Sequence, residues 1–296
     1  MNPEALPGPN ATSALYAVLG HPIAHSLSPA LHNAAFRAER RDAVYIACDV
    51  PAAHAAAALE GLAALGAVGA NLTSPLKGIA YAFAGETTPE AHAAGAVNTL
   101  RFAKGGAVGH NTDGAGFVRF LARAQVALAG ARIAILGGGG AAAGLAPALV
   151  AGGATAVTCV TREPGAAAAY AGLGPGSGVL LVARGGDGAE AAVRAATIVI
   201  QSTPLGTGPG EPLPCPEAWV DAQAAAVDLR YHPARTPWLD ALSARGVRAA
   251  NGLGLLIEQA LLAQAFWHGE EPPRNALEEA VGWTGPFLPP PAARRA

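Results

Sequence analysis

Lys77, in the segment GANLTSPLK, and Asp113, in GHNTDGAG, stand in stretches that read as sharp loops entering helices. An ammonium and a carboxylate carried on two such loops suit proton transfer to or from a carbonyl oxygen. Taken singly, each has a plainer use: a lysine is ordinarily a surface residue, and an aspartate in TDG ordinarily closes a turn or caps a helix. Further along, ILGGGGAAAG from Ile135 to Gly144 follows an apolar run and opens a helical pattern. Gly137, Gly139 and Ala142 have the GxGxx(G/A) spacing, in which backbone N–H groups and a helix N-terminus face a pyrophosphate. A tight turn alone would use the same glycines. A seat for a hydride carrier and a pair able to carry a proton point together to oxidation and reduction.

Two other segments bear polar groups worth placing. In HPIAHSLSPALHN, Ser26 and Ser28 precede Pro29, which reads as a helix start with a hydroxyl at the cap and proline in the first turn. The same two hydroxyls beside a helix N-terminus suit a small carboxylate. The end of the second strand of the glycine-run series, CVTREPG, should lie near an adenosine ribose, where an acid favours a free 2′-hydroxyl and an arginine a 2′-phosphate. Arg162 and Glu163 are neighbours there, and a solvated surface pair is the plain alternative. His21 and His25 have HxxxH spacing, but Pro22 between them breaks the helix that a zinc site would need, so no metal is expected.

The bulk numbers narrow the class. At 296 residues, two domains are expected, each with ample apolar material for a core. Charged residues make up only 14%, the 19 basic and 21 acidic side chains leave −2, and no basic stripe occurs, which argues against a nucleic-acid partner. Cys48, Cys159 and Cys215 are isolated and odd in number, so neither a disulfide framework nor a thiolate metal site is signalled, and a cytoplasmic location is expected. MNPEALPGPN has neither a basic nor an apolar signal region and reads as a loose tail. No charge occurs from Ile133 to Thr161, longer than the ~20 residues of a membrane span. The breakers Gly137 to Gly140, Gly144, Pro147, Gly152 and Gly153 instead mark strand, turn, helix, turn and strand, so no membrane partner is expected.

Around these positions, short apolar runs alternate with helical patterns. YAVLG, VYIACDV and GANLT read as strands, with a helix after Pro29 and an Ala-rich helix from Ala52 to Leu65 between them. AVNTLRF and GAVGH are shorter strand-like runs, and Asp113 to Ala124 has the helical spacing of a connector. ARIAIL, AVTCVT, VLLVA, TIVIQST and AAAVDL then form a second, doubly wound α/β series. In NGLGLLIEQALLAQAFWHG, Leu255, Leu256, Gln259, Leu262 and Phe266 have helical spacing that folds back on the first domain. The expected fold class is α/β in two domains. A substrate-binding domain with a mostly parallel sheet over 12–112 is completed by helices over 252–281, and a Rossmann dinucleotide-binding domain spans 113–251. Residues 1–11 and 285–296 are expected to be disordered tails.

The segments GHPIAHSLSP, GANLTSPLK, GAVNTL, GHNTDGAG, ILGGGGAA, VDLRYHPARTPWL and NGLGLLIEQA occur in the order, and at about the spacing, of the shikimate dehydrogenase family, so the chain resembles that family from about Tyr16 to Gly269. The resemblance implies NADPH-dependent reduction of 3-dehydroshikimate, with Lys77 and Asp113 as the catalytic pair. It implies that Ser26 and Ser28 hold the substrate carboxylate with Tyr231, and that Thr73, Asn98, Asp113 and Gln259 meet the ring hydroxyls, with Asn71 supporting the loop. On the cofactor side it implies Gly137, Gly138, Gly139, Gly140 and Ala141 at the pyrophosphate, Thr161 and Arg162 at the adenosine end, and Leu229 and Gly252 at the nicotinamide end. The two domains of the family face each other across a cleft.

The chain departs from the family pattern in places. NADP-users commonly read Asn-Arg-Thr where this chain has Thr161-Arg162-Glu163, and a basic residue often found shortly afterwards is replaced around Ala166. Glu163 therefore leaves NAD open beside NADP, and a quinate dehydrogenase using NAD is the nearest alternative. Ser28 favours shikimate, because quinate-preferring relatives often carry threonine there. A non-catalytic ligand-binding or regulatory module is the alternative from another class. The expected partner is a small-molecule substrate, with monomer and homodimer both open.

Overall fold

The computed structural model describes residues 8–206, 208 and 210–289. The chain divides into two compact units. The first comprises the described residues through Thr112 together with Leu256–Trp283. The second comprises Asp113–Leu255 and the described residues from Thr284 onward.

In the first unit, strands β1 (Ala14–Gly20), β2 (Ala43–Asp49), β3 (Gly69–Leu72), β4 (Glu86–Thr87), β5 (Thr99–Ala103) and β6 (Gly106–His110) form one sheet in the order β2-β1-β3-β5-β6-β4. β1 runs parallel to β2 and β3, with Tyr16 opposite Tyr45 and Gly69, because helices make the crossovers. β5 and β6 are antiparallel, since only the tight turn at Lys104–Gly105 joins them, and Gly105 (φ +100°) supplies its left-handed backbone. The Ala-rich stretch expected as one helix from Ala52 begins as a 3-10 turn, Ala52–His54, and is α-helical over Ala55–Ala64.

The helix Leu253–His268 packs its Leu256–His268 portion on this sheet. Trp267 donates its indole N–H to the Leu100 carbonyl at 2.9 Å and lies 4.9 Å from the Tyr16 ring, filling a space that Gly69 leaves by lacking a Cβ. His32, fully buried, stacks on Tyr45 at 4.3 Å and meets the Gln264 amide through Nδ1 at 2.9 Å. Burial, reinforced by the nearby His268, pushes the His32 pKa down to about 3.

The second unit holds β7 (Arg132–Leu136), β8 (Ala156–Thr161), β9 (Val179–Ala183), β10 (Ile198–Gln201), β11 (Ala225–Asp228) and β12 (Arg248–Asn251), all parallel, in the order β12-β11-β10-β7-β8-β9. This is the doubly wound Rossmann order, with the reversal between β7 and β10. Its strands are nearly continuous apolar runs because helices cover both faces. The helix Asp113–Arg123 leans on the helix Gly140–Ala151. A Cβ on Gly114 would lie 2.7 Å from the Gly144 carbonyl oxygen and 2.8 Å from the Ala148 Cβ, so glycine sets how closely these helices approach.

The segment 285–289, expected in a loose tail, is tied to the second unit. Phe287 stacks under the Arg248 guanidinium at 4.4 Å, the Leu288 amide donates to the Ala249 carbonyl at 2.9 Å, and Arg235 donates to the Pro289 carbonyl at 2.8 Å. Its proline-rich composition suggested disorder, but Phe287 and Leu288 find partners that are distant in sequence. In the expected N-terminal tail, Asn10 closes a turn: its amide donates to Ser13 Oγ at 2.9 Å and its Oδ1 accepts the Thr12 amide at 2.8 Å, while 1–7 and 290–296 lie outside the described residues. No helix among the described residues is long and apolar enough to cross a membrane.

Two expectations follow. An unfolded chain binds the His32 proton near pH 6.5, whereas the native chain binds it only near pH 3. The stabilisation is therefore complete above pH 6.5 and is lost as pH falls toward 3, with a slope of up to about 1.4 kcal/mol per pH unit. Urea midpoints at pH 7.5 and 5 should differ less in His32→Phe than in the wild type. Gly114→Ala should destabilise by about 1–3 kcal/mol through overpacking, read from the same unfolding curves.

Candidate functional site

In the first unit the polar candidates are gathered by loops at the ends of β1, β3 and β5. The ends of β1 and β3 are zipped together: the Thr73 amide donates to the Leu19 carbonyl at 2.9 Å and the His21 amide to the Ser74 carbonyl at 3.1 Å. A Cβ on Gly20 would run into the Thr73 methyl group, which sets Thr73 directly against the loop leading to Ser26 and Ser28. That loop enters the helix Ser28–Ala38 with Leu27 at the cap, no capping side chain and no acid in the first turn. The expected hydroxyl cap is therefore absent. The Ser26 hydroxyl instead accepts the Ser28 amide at 3.3 Å, and Ser28 is buried. A helix N-terminus with two hydroxyls and no competing carboxylate offers donors suited to an anion.

Lys77 is the first residue of the helix Lys77–Phe83, and its carbonyl accepts the Val97 amide at 3.0 Å, which ties it to the residue before Asn98. Asn98 is almost fully buried and hydrogen-bonds to Thr112, Thr99 and, at 3.4 Å, Gln259 on the returning helix. Asn71 lies beside it, bonded to the Asn98 carbonyl at 3.1 Å and to Thr99 at 3.0 Å. Ser26, Ser28, Thr73, Lys77, Asn98 and Gln259 all belong to this unit.

Asp113 and Tyr231 belong to the second unit. Asp113 follows directly on Thr112, opens the helix Asp113–Arg123 and is 7% exposed. Tyr231 is half-buried in the loop after β11.

The glycine run lies between β7 and the helix Gly140–Ala151. Gly137 has φ +117°, and a Cβ there would stand 2.5 Å from the Ser202 hydroxyl, so the turn requires glycine. A Cβ on Gly138 would lie 2.7 Å from Thr161 Oγ1, which joins the run to the end of β8. At Gly139 a Cβ would meet nothing within 4 Å, leaving that side of the backbone open to a ligand. The following helix has no capping side chain and no acid in its first turn. Tight turn, open approach and uncapped helix N-terminus together fit a dinucleotide pyrophosphate. Thr161 is buried, whereas Arg162 and Glu163 are both exposed, and no ion pair joins them among the described residues.

Leu229 and Gly252 come together at the ends of β11 and β12. The Gly252 amide donates to the Arg230 carbonyl at 2.8 Å, and any Cβ on Gly252 would overlap the Leu229 carbonyl. Asp228, missed by the motif reading, holds this corner. It is fully buried, accepts from Arg230 Nε at 3.0 Å and Nη2 at 2.7 Å, and Arg230 also donates to the Pro204 carbonyl at 3.2 Å. The D-x-R spacing within VDLRYHPARTPWL was its only signal.

Other chemistries find little support. Burial pushes the Cys159 and Cys215 thiols up to about 12, which removes them as nucleophiles at neutral pH. Among the described residues no group of three or more His, Cys, Asp or Glu could hold a metal. The exposed His21 pairs with Asp49 at 2.8 Å.

Known proteins resemble this chain in sequence and in fold. Residues 18–100 match the family model of the shikimate dehydrogenase substrate binding domain. Shikimate dehydrogenase (NADP(+)) of Moorella thermoacetica is 41% identical over 280 residues, covering 92% of this chain and 95% of that protein. A shikimate dehydrogenase structure from Aquifex aeolicus superposes with a TM-score of 0.83 at 30% identity, covering 92% of this chain and 98% of the other. Shikimate 5-dehydrogenase from Thermus thermophilus, in complex with NADP(H) and shikimate, gives 0.81 at 34% identity, with coverages of 91% and 98%. On that identity and near-complete coverage, together with the zipped loops of the first unit and the glycine turn of the second, the chain belongs to the shikimate dehydrogenase family.

Proposed function

We propose that this chain catalyses the reversible NADPH-dependent reduction of 3-dehydroshikimate to shikimate. The observation that carries this reading is the gathering of Ser26, Ser28, Thr73, Lys77, Asn98 and Gln259 in one unit, on interlocked loops, the helix starts they enter and the returning helix. The relative from Moorella thermoacetica is named a shikimate dehydrogenase (NADP(+)), and the Thermus thermophilus structure holds NADP(H) and shikimate. Three unpaired cysteines suit a reducing cytoplasm.

In the reduction direction, the Ser26 and Ser28 hydroxyls, with Tyr231, hold the substrate carboxylate and so orient the ring. Thr73, Asn98 and Gln259 meet its hydroxyls. Lys77 donates a proton to the carbonyl oxygen as negative charge develops there, leaving a neutral amine. Asp113 orients that ammonium and accepts from the neighbouring hydroxyl, and the two act as a coupled dyad that takes the proton back in oxidation. NADPH, when bound, supplies the hydride to the carbonyl carbon. Gly137 to Ala141 seat its pyrophosphate, Thr161 and Arg162 its adenosine end, and Leu229 and Gly252 its nicotinamide end.

Glu163, exposed beside Arg162, favours a second reading in which NAD also serves, and with it a quinate substrate. Steady-state rates with shikimate and quinate, each with NADP+ and NAD+, separate these readings. Shikimate binding without any nicotinamide absorbance change would instead indicate a non-catalytic module.

Lys77→Ala should lower kcat by about 10² to 10⁴ while changing KM far less, and a raised KM with unchanged kcat would remove Lys77 from the chemistry. Arg162→Ala should weaken NADPH more than NADH, because only NADPH carries the 2′-phosphate. Equal losses in a fluorescence titration would place Arg162 elsewhere.

A further inference from the structure

The amide side chains of the first unit form a chain whose direction is set by two backbone groups. Asn71 Nδ2 lies 3.1 Å from the Asn98 carbonyl, which can only accept, so the nitrogen must face that way and Asn71 Oδ1 must face Tyr45. The Tyr45 hydroxyl therefore donates to Asn71 Oδ1, at 2.6 Å. At the other end, the Thr112 backbone amide, which can only donate, lies 2.9 Å from Asn98 Oδ1. Asn98 must then turn its Nδ2 outward, 2.9 Å from Thr112 Oγ1 and 3.4 Å from Gln259 Oε1.

Thr99 joins the two amides. Its hydroxyl accepts from Asn71 Nδ2 at 3.0 Å and donates to Asn98 Oδ1 at 2.9 Å. Tyr45, Asn71, Asn98, Thr99 and Thr112 are each at most 5% exposed, so water does not compete for these bonds. A buried polar chain whose members all have partners holds one arrangement, because reversing any amide strands a donor or an acceptor away from water.

We infer that Tyr45 and Thr99 are positioning residues for substrate recognition: they hold Asn71 and Asn98 in the hydrogen-bond order that the two backbone groups set, which turns the Gln259 Oε1 inward and presents its Nε2 as a donor to a ring hydroxyl. This rests on the proposed placement of Gln259 against the ring. Neither Tyr45 nor Thr99 touches substrate in this account. The preference for a hydroxylated ring then depends partly on Tyr45 and Thr99, which stand behind the Asn98 amide that meets Gln259.

The test is a double-mutant cycle on the full chain, read as KM for shikimate and for NADP+. Thr99→Val, which keeps shape and removes the hydroxyl, should raise KM for shikimate roughly ten-fold and leave KM for NADP+ unchanged. Thr99→Ser should restore the wild-type value, and Tyr45→Phe should shift KM in the same direction as Thr99→Val. In a Gln259→Ala background, Thr99→Val should add little further. An equal rise in both backgrounds overturns the relay while leaving Gln259 on the substrate. If Gln259→Ala alone leaves KM for shikimate unchanged, the placement of Gln259 fails, and the relay fails with it. Should Thr99→Val not fold, the same cycle with Tyr45→Phe decides.

Discussion

Asn98 holds the first unit's polar loops in place. Its backbone amide donates to the His110 carbonyl, its carbonyl accepts the Leu72 amide, and its side chain accepts the Thr112 amide at the residue where the chain leaves the unit. One buried residue thereby joins β3, β6 and the exit segment. A buried amide with a missing partner is expensive, so each of these groups constrains the others. Lys77 is drawn into the same constraint through its carbonyl bond to Val97, and Thr73 through its packing against Gly20. The proposed acid therefore sits at a helix start whose backbone has little freedom to drift.

The second unit reaches order by a different means, close approach of backbone to backbone. At Gly114, Gly137 and Gly252 an added Cβ would collide with a carbonyl oxygen or a hydroxyl that cannot move far. Gly139 is the opposite case, with open space where the other glycines have neighbours. Asp228 and Arg230 complete the corner by charge. Burying a carboxylate requires the paired guanidinium, and that pairing pins the backbone on which Leu229 and Tyr231 ride. Buried polar bonds and close approaches thus act in both units, the polar network foremost in the first and the steric limits foremost in the second.

Much of this could be read along the chain. Apolar runs of four to seven residues bounded by glycine or polar turns mark β1, β3 and β7 to β11, because a parallel strand covered on both faces must be apolar throughout. The helix starts at Lys77 and Asp113 follow from SPLK and TDG, local signals that need no distant partner. β12 escaped notice because Arg-Ala-Ala-Asn has no β-branched residue and pairs only because β11 lies beside it. β4, two residues long, exists only through β6.

Order along the chain determined most element types, the Rossmann series apart from β12, the glycine turn and the motifs that mark the family, since each depends on residues within a few positions of one another. Tertiary structure alone decided which hydroxyls cap and which do not, that Phe287 and Leu288 are held, that Asp228 is buried against Arg230, and that Tyr45 and Thr99 stand behind Asn98. Those outcomes depend on which backbone donor or acceptor arrives from a distant segment. Nothing in the local sequence carries that information.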